Sequence, residues 1–374
     1  MSCRLLYLVG QLTPGGLERQ LCYLLQAMDR ERYQPAVAVW NFSETDVYVP
    51  RIRALNVPVY ALPYTTSAST KLRAFGRLVR QLKPEVVHSY TFFTNFAAYW
   101  GVRGTRAIAV GSVRGNLTRA KKDAGPCLGR LSARWPRYQI YNNASAAEMC
   151  RLSYKFFIPK RLFIVHNGLD LKQFHRIPPV VGSKVSIVGI GSLVPVKRWD
   201  RLLRAAAELK RSRVDCLIQI AGDGRLRGLL EQQAQELGIT DCLEFLGYTE
   251  NIQDLLANAR FLVHTSDSEG CPNVVMEAMA CGRAVVATDA GDVPSLVEDG
   301  KTGFVVPRRD EATLLARMVT LITDYDLCQR MGEAGRAKAE RQFGLDRFVS
   351  ETLVAYRVMG WSEGGVIGLS RGKA

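Results

Sequence analysis

The sequence predicts an α/β protein built from two doubly wound parallel-sheet halves facing each other across a cleft. Three observations carry this. Short β-branched runs alternate with amphipathic stretches along almost the whole chain, the pattern of parallel strands joined by crossover helices. The length, 374 residues, suits two domains. The rhythm breaks at Ile177–Lys184 (IPPVVGSK), where two prolines and a glycine mark a linker.

In the first half, Arg4–Val9 reads as a strand, Thr13-Pro14-Gly15-Gly16 as a turn, and Leu17 to about Met28 as a helix. Ala36–Trp40 and Val57–Ala61 read as strands, Lys71–Leu82 as a helix and Val86–His88 as a strand. Ile108–Gly111, Gln139–Asn142 and Leu162–His166 continue the strands. After the linker come strand Val185–Ile190, the loop GSLVPVKR, and a helix from Trp199 to about Lys210. Strand Cys216–Ala221 runs into Gly222-Asp223-Gly224, followed by a helix to about Leu237 and strand Leu243–Gly247. A helix near Ile252–Ala257, strand Phe261–Thr265, helix Asn273–Ala280, strand Ala284–Thr288 and helix Ala312–Ile322 complete the second half. The expected domains are therefore 1–178 and 179–346. A last helix, about 347–360, is expected to pack back on the first domain, and 361–374 to form a loose tail.

Composition excludes several classes. Hydrophobic residues make up 47% and charged residues 23%, ordinary for a soluble globular protein. No apolar run reaches the roughly 18 residues that would cross a bilayer, and the apolar stretch after Arg4 is too short for a signal-peptide core. Nine scattered cysteines, none in a Cys-x-x-Cys pair, read as reduced thiols of a cytoplasmic protein. The four histidines sit near none of them at zinc-ligand spacing, so no metal is expected. The charge is unusual: net +15 overall, with +12 concentrated in residues 71–137. Such a face attracts polyanions: nucleic acid, an anionic membrane surface or a phosphorylated substrate.

Three loops could carry chemistry. Gly15 and Gly16 stand between a strand and a helix, where backbone and helix N-terminus can meet a phosphate or sugar, although such turns often contain glycine anyway. The Gly-x-Gly-x-x-Gly spacing of dinucleotide sites is absent. Asp267-Ser268-Glu269-Gly270-Cys271-Pro272-Asn273 also follows a strand and opens a helix. Glu269 and Glu277 lie eight residues apart, and both could accept hydrogen bonds from sugar or ribose hydroxyls while the backbone from Gly270 to Val274 faces an anion. The alternative makes Glu269 a cap and Glu277 a surface residue. Glu277, however, lies in the apolar run VVMEAMACG, where an unpartnered carboxylate is costly. Lys197 and Arg198 follow strand Val185–Ile190 and could neutralise a diphosphate, or simply decorate a basic surface. His88 ends a strand aimed at the cleft and is a candidate to touch substrate, or a satisfied structural histidine. Asp324-Tyr325-Asp326 resembles a metal clamp but follows a helix, so capping is the expected duty. Gly300-Lys301-Thr302 lacks the first glycine of a phosphate loop, Ser295 standing there.

The run HTSDSEGCPNVVMEAMACGRAVVATDAGDVPSLVEDGKTGFVVP resembles the donor-binding signature of the retaining glycosyltransferases of family 4. Its Glu-x7-Glu motif matches Glu269 and Glu277. VPVKRWDRLL resembles the family's lysine loop, Asn167-Gly168-Leu169-Asp170 its Asn-Gly-Ile-Asp, and Thr13-Pro14-Gly15-Gly16 its N-terminal glycine loop. The resemblance implies a GT-B fold of two Rossmann-like domains, the first binding acceptor and the second a nucleotide sugar. It implies that Glu277 holds the ribose and that Glu269 contacts the donor sugar. Gly270, Cys271, Pro272 and Asn273 would meet sugar and phosphates, and Lys197 would stabilise the departing diphosphate. Gly15, Gly16 and Gly222 would admit phosphate, and His88 would lie near the sugar. Departures are Gly191-Ser192 in place of Gly-Arg, Arg198 where glycine is usual and expected to compensate, and Tyr90 in place of a histidine.

The implied activity is transfer of a hexose, with retention, from a UDP- or GDP-sugar to a hydroxyl of a glycan or lipid-linked acceptor in cell-surface polysaccharide or glycolipid synthesis. No metal or other cofactor is expected. The basic 71–137 segment suggests docking on an anionic membrane from the cytoplasmic side. A GT-B nucleotide-sugar epimerase or phosphorylase is the alternative, though no lysine is singled out for the pyridoxal phosphate of a phosphorylase. A non-catalytic nucleic-acid binder is more remote: Phe92, Phe93, Phe96, Tyr99 and Trp100 look like a helix face packed on a sheet rather than a stacking platform, and no nucleic-acid partner is expected.

Overall fold

The computed structural model describes residues 3–64, 67–153, 158–176 and 185–362. The expected linker 177–184 lies outside them, as does the tail beyond Ser362. The chain divides into two compact units, one holding Met1–Gly168 with Leu345–Ala374 and the other Leu169–Gly344.

The first unit carries a seven-stranded parallel sheet. Its strands are β1 (Cys3–Val9), β2 (Tyr33–Val39), β3 (Val59–Ala61), β4 (Val86–Ser89), β5 (Ile108–Val113), β6 (Tyr138–Tyr141) and β7 (Arg161–Ile164), in the order 3-2-1-4-5-6-7. In β1 the side chains alternate between two cores. Leu5, Tyr7 and Val9 join Leu21, Leu24 and Tyr356, while Leu6 and Leu8 join Phe75, Val79 and Ala98. Both faces of the strand are thus covered, which explains its continuous apolar run.

The second unit carries a six-stranded parallel sheet of β8 (Val185–Ile190), β9 (Cys216–Ala221), β10 (Leu243–Gly247), β11 (Phe261–His264), β12 (Ala284–Thr288) and β13 (Gly303–Val306), in the order 10-9-8-11-12-13. The helix Trp199–Arg211 shows how the sequence builds its cover. Trp199, Leu202, Leu203, Ala206 and Leu209 recur at helical spacing and are buried, while Lys210 and Arg211 face solvent. In each sheet the order reverses once, between β1 and β4 and between β8 and β11. Loops after such strands are where doubly wound sheets place their ligands.

The division between units falls at 168/169 and 344/345, not at 178/179 and 346/347 as the sequence suggests. Hydrogen bonds give the reason. Gln20 pairs reciprocally with the backbone of Gly168, at 2.8 Å in each direction, while the Leu169 N–H donates to Phe343. The helix Leu345–Val358 supplies Phe348, Leu353 and Tyr356 to the core of the first unit. Trp361, placed by the sequence reading in a loose tail, is 2% exposed in that same core and donates from Nε1 to Glu85 at 2.9 Å. Asp324 caps the helix Tyr325–Gln342 by accepting from the Leu327 N–H.

Candidate functional site

The loop after β8 ends in a short 3₁₀ turn, Pro195–Lys197, and Arg198 then starts the next helix in the left-handed region, φ 51°. This is a glycine's conformation, held here by charge. The Arg198 guanidinium grips Asp200 with two nitrogens, at 2.9 and 2.8 Å, and Asp267 with a third at 3.1 Å. Arg201 adds a 2.7 Å pair with Asp267, and Arg204 bridges Asp200 and Glu311. This network ties the lysine loop to the loop after β11. Backbone bonds add to it: the Asp267 N–H donates to Val196, and the Thr265 hydroxyl to the Lys197 carbonyl. Arg198, expected to stand in for a missing phosphate arginine, here pairs with Asp200 and Asp267. Its guanidinium is committed to carboxylates.

On this frame Lys197 and Glu269 meet. Lys197 Nζ donates to Glu269 Oε1 at 2.7 Å, both side chains being largely covered. His264, at the end of β11, brings its Nε2 to 3.2 Å from the same oxygen. Burial alone would raise the Glu269 carboxyl, but the His264 contact and the Lys197 charge outweigh it and hold it well below the usual carboxylate range. Burial likewise lowers His264 and keeps the ring neutral near pH 7. The sequence reading gives His264 no role. Its only signal is a histidine closing a buried strand five residues before Glu269.

Glu277 lies in the helix Asn273–Ala280, whose residues from Val274 onward are all buried, and is itself 1% exposed. The surface alternative for Glu277 is thereby removed. The loop Gly270–Asn273 is pinned where the Asp292 N–H donates to the Gly270 carbonyl. Pro272 caps the helix and has no N–H, so it is no anion donor, and the expected run of N–H groups from Gly270 to Val274 is interrupted there. Gly222 is a packing residue: a Cβ on it would stand 2.0 Å from the Gly191 carbonyl oxygen. Its absence lets the ends of β8 and β9 close together.

In the first unit, Gly15 is in extended backbone and caps the helix Gly16–Ala27. The Glu18 carboxylate folds back over it, 2.2 Å from where a Cβ would be. Burial, with help from Asp46, raises that carboxyl to about 7. The neighbour of the glycine loop is thus an acid that the sequence reading passes over. His88 is corrected outright. It is 1% exposed, with Nδ1 2.7 Å from the Tyr356 hydroxyl and Nε2 2.8 Å from the Ser112 hydroxyl. Both nitrogens are engaged, so the ring joins β4 to β5 and to the last helix and offers nothing to a substrate.

Comparison with known proteins bears on the family and the fold. The model of glycosyl transferases group 1 matches residues 172–338, and that of the glycosyl transferase 4-like domain matches 15–147. The N-acetyl-alpha-D-glucosaminyl L-malate synthase of Bacillus anthracis is 28% identical over 200 residues, 54% of this chain and 51% of that protein. The D-inositol 3-phosphate glycosyltransferase of Streptomyces scabiei is 32% identical over 221 residues, 53% of this chain and 49% of that protein. The chain thus spans about half the length of the curated relatives it matches. Anabaena HepE, solved in complex with UDP-glucose, superposes with a TM-score of 0.81 at 19% identity, covering 95% of this chain and 99% of that one. Two family models spanning most of the sequence, and two parallel sheets of the matching architecture, place the chain in family 4 of the glycosyltransferases, with the GT-B fold.

Proposed function

We propose that the protein transfers a hexose from a nucleoside diphosphate sugar to an acceptor hydroxyl, with retention at the anomeric carbon and without a metal. The observation that carries this reading is the Lys197–Glu269 pair, set between the loops that follow β8 and β11, where the strand order of the second sheet reverses. A cation and a carboxylate fixed side by side suit a donor that presents a diphosphate next to sugar hydroxyls. In this reading Lys197 neutralises charge as the bond from the anomeric carbon to the phosphate oxygen breaks. Glu269 accepts from a hydroxyl of the sugar, and Glu277 from the ribose. The new bond forms to the acceptor oxygen, whose proton passes to the departing phosphate. UDP, bound by the HepE structure, is the first nucleotide to test.

A thermal-shift screen against UDP, GDP, ADP, TDP and their sugars, run without metal, tests this. One nucleotide at a hundred times its dissociation constant is expected to stabilise by about 2.7 kcal/mol, a rise of roughly 5–10 °C for a unit of this size. The shift is expected to vanish in Glu277→Ala. No shift with any nucleotide would overturn the reading.

We also propose that the acceptor is reached at an anionic membrane surface. Arg73, Arg77 and Arg80 line the exposed side of the helix Ala68–Leu82, and Arg130 and Arg134 are exposed on the helix Pro126–Arg134. Between them packs the helix Asn95–Gly101, with Trp100 42% exposed. Cations flanking an exposed indole suit an interfacial site, at about 1 kcal/mol per Lys or Arg near the surface. Pelleting with vesicles containing anionic lipid is expected, and with neutral vesicles not. Equal recovery with both would remove this part of the reading.

A further inference from the structure

His264 is buried for a local reason. Every position of β11 is buried, and the strand lies between β8 and β12 at the centre of its sheet, so the residue that closes it sits beneath the loop it feeds. What the ring meets there is unusual for a core position. Its Nε2 stands 3.2 Å from Glu269 Oε1, and among the described residues no hydrogen bond is aligned on that nitrogen. A buried ring nitrogen without an aligned partner is under strong pressure to turn its N–H onto the carboxylate beside it, since an unmet N–H in the interior is costly.

Two nitrogens therefore converge on a single carboxylate oxygen: Lys197 Nζ donates to Oε1 at 2.7 Å, and His264 Nε2 stands 3.2 Å from it. Oε2 is the oxygen left to accept from a ligand. The two nitrogens are not equivalent. Lys197 is partly exposed, and an ammonium has three N–H groups to distribute. Beside a diphosphate it shares them with phosphate oxygens, and its hold on Glu269 weakens. His264 is 3% exposed and has no surface to offer a ligand. A neutral imidazole also donates one N–H without cancelling the charge it holds. Burial keeps the ring neutral against the pull of Glu269, and the Lys197 charge acts in the same direction as burial.

We infer that His264 is a positioning residue: it fixes the orientation of Glu269 beneath the donor sugar while Lys197 attends to the diphosphate, and so governs recognition of the sugar but not of the nucleotide. This rests on the donor-site reading above. A histidine that only fills the core would affect both halves of the donor alike, through stability. A histidine that aims Glu269 affects the half that Glu269 touches.

The test compares His264→Leu, which removes the N–H, with His264→Gln, whose amide can supply one at similar reach. UDP, UDP-glucose, GDP and GDP-mannose serve as probes, with binding followed by calorimetry. For whichever nucleotide the wild type binds, His264→Leu is expected to bind the nucleoside diphosphate within about twofold of wild type. It is expected to lose about tenfold in affinity for the corresponding nucleotide sugar. Turnover is expected to fall about 10–100-fold, and His264→Gln to recover most of both losses. Should His264→Leu fail to fold, His264→Met takes its place against the same His264→Gln comparison. Equal loss for nucleotide and nucleotide sugar, no loss for either, or a folded His264→Gln no better than the apolar variant would overturn the inference. A wild type that binds none of these probes, nor ADP, TDP or their sugars, would instead bring down the donor-site reading itself, and this role with it.

Discussion

Lys197→Ala is expected to lower kcat/KM for transfer by about 10²–10³-fold, the scale set by removing one preorganised charge from a developing anion. Two consequences of the change separate in measurement. The first concerns the protein alone. Glu269 keeps its charge in a largely covered site because His264 and Lys197 hold its carboxyl low. With the ammonium gone, burial reasserts itself, the carboxyl rises, and a stability loss of about 1–3 kcal/mol follows from the poorly compensated group. The second concerns the reaction. On the donor-site reading the diphosphate would leave without its cation, and the adjacent Arg198 is already held by Asp200 and Asp267. The double variant Lys197→Ala with Glu269→Gln distinguishes them. Removing the stranded charge is expected to restore the melting temperature, but transfer stays lost. Retention of more than about a tenth of wild-type kcat/KM in Lys197→Ala would show that the diphosphate is not stabilised here.

The same pair shows what the sequence makes legible. Lys197 and Glu269 each stand at the end of a readable strand, so both can be picked out as loop residues of a doubly wound sheet. That they touch cannot be read, because 72 positions separate them and the register of two loops decides the distance. His88 fails for a similar reason. A histidine closing a strand near the expected cleft looks available, and only the fold brings Tyr356, 268 residues away, onto its ring. Local pattern is informative where burial is continuous, as in β11 and β12. It fades where an element is short or charged. β13 is four residues, GFVV, behind the glycine-rich turn Gly300-Lys301-Thr302, and its strand character is hidden by that turn. The helices Leu117–Asp123 and Pro126–Arg134 lie in the most basic stretch of the chain. The first buries Leu117 alone, too little to register as an apolar face. Arg198 shows the converse limit. Its left-handed backbone marks a position suited to glycine, and only the structure shows two aspartates holding an arginine there.

Gly222→Ala is expected to destabilise the second unit by at least about 3 kcal/mol, through two costs that cannot be relieved together. The backbone at Gly222 has φ 144°, which L side chains rarely adopt, and the new Cβ would be driven to 2.0 Å from the Gly191 carbonyl oxygen. Moving either strand end away would break the bond from the Gly191 N–H to Ala221 at 2.9 Å or that from the Gly222 N–H to Gly247 at 2.7 Å. For a unit of this size the expected fall in melting temperature is roughly 10 °C. Gly228→Ala is the matched control. That glycine lies in the helix Arg227–Glu236 with no atom within 4 Å of a new Cβ, so the same methyl is expected to stabilise by about 0.5–1 kcal/mol. The comparison decides between two roles for Gly222. If it serves chiefly to admit a phosphate, the alanine variant would melt with the wild type and lose only the nucleotide-induced shift. If it serves chiefly to let two strand ends meet, the melting temperature falls first. The 2.0 Å approach to a backbone oxygen, with no flexible side chain to give way, favours the second.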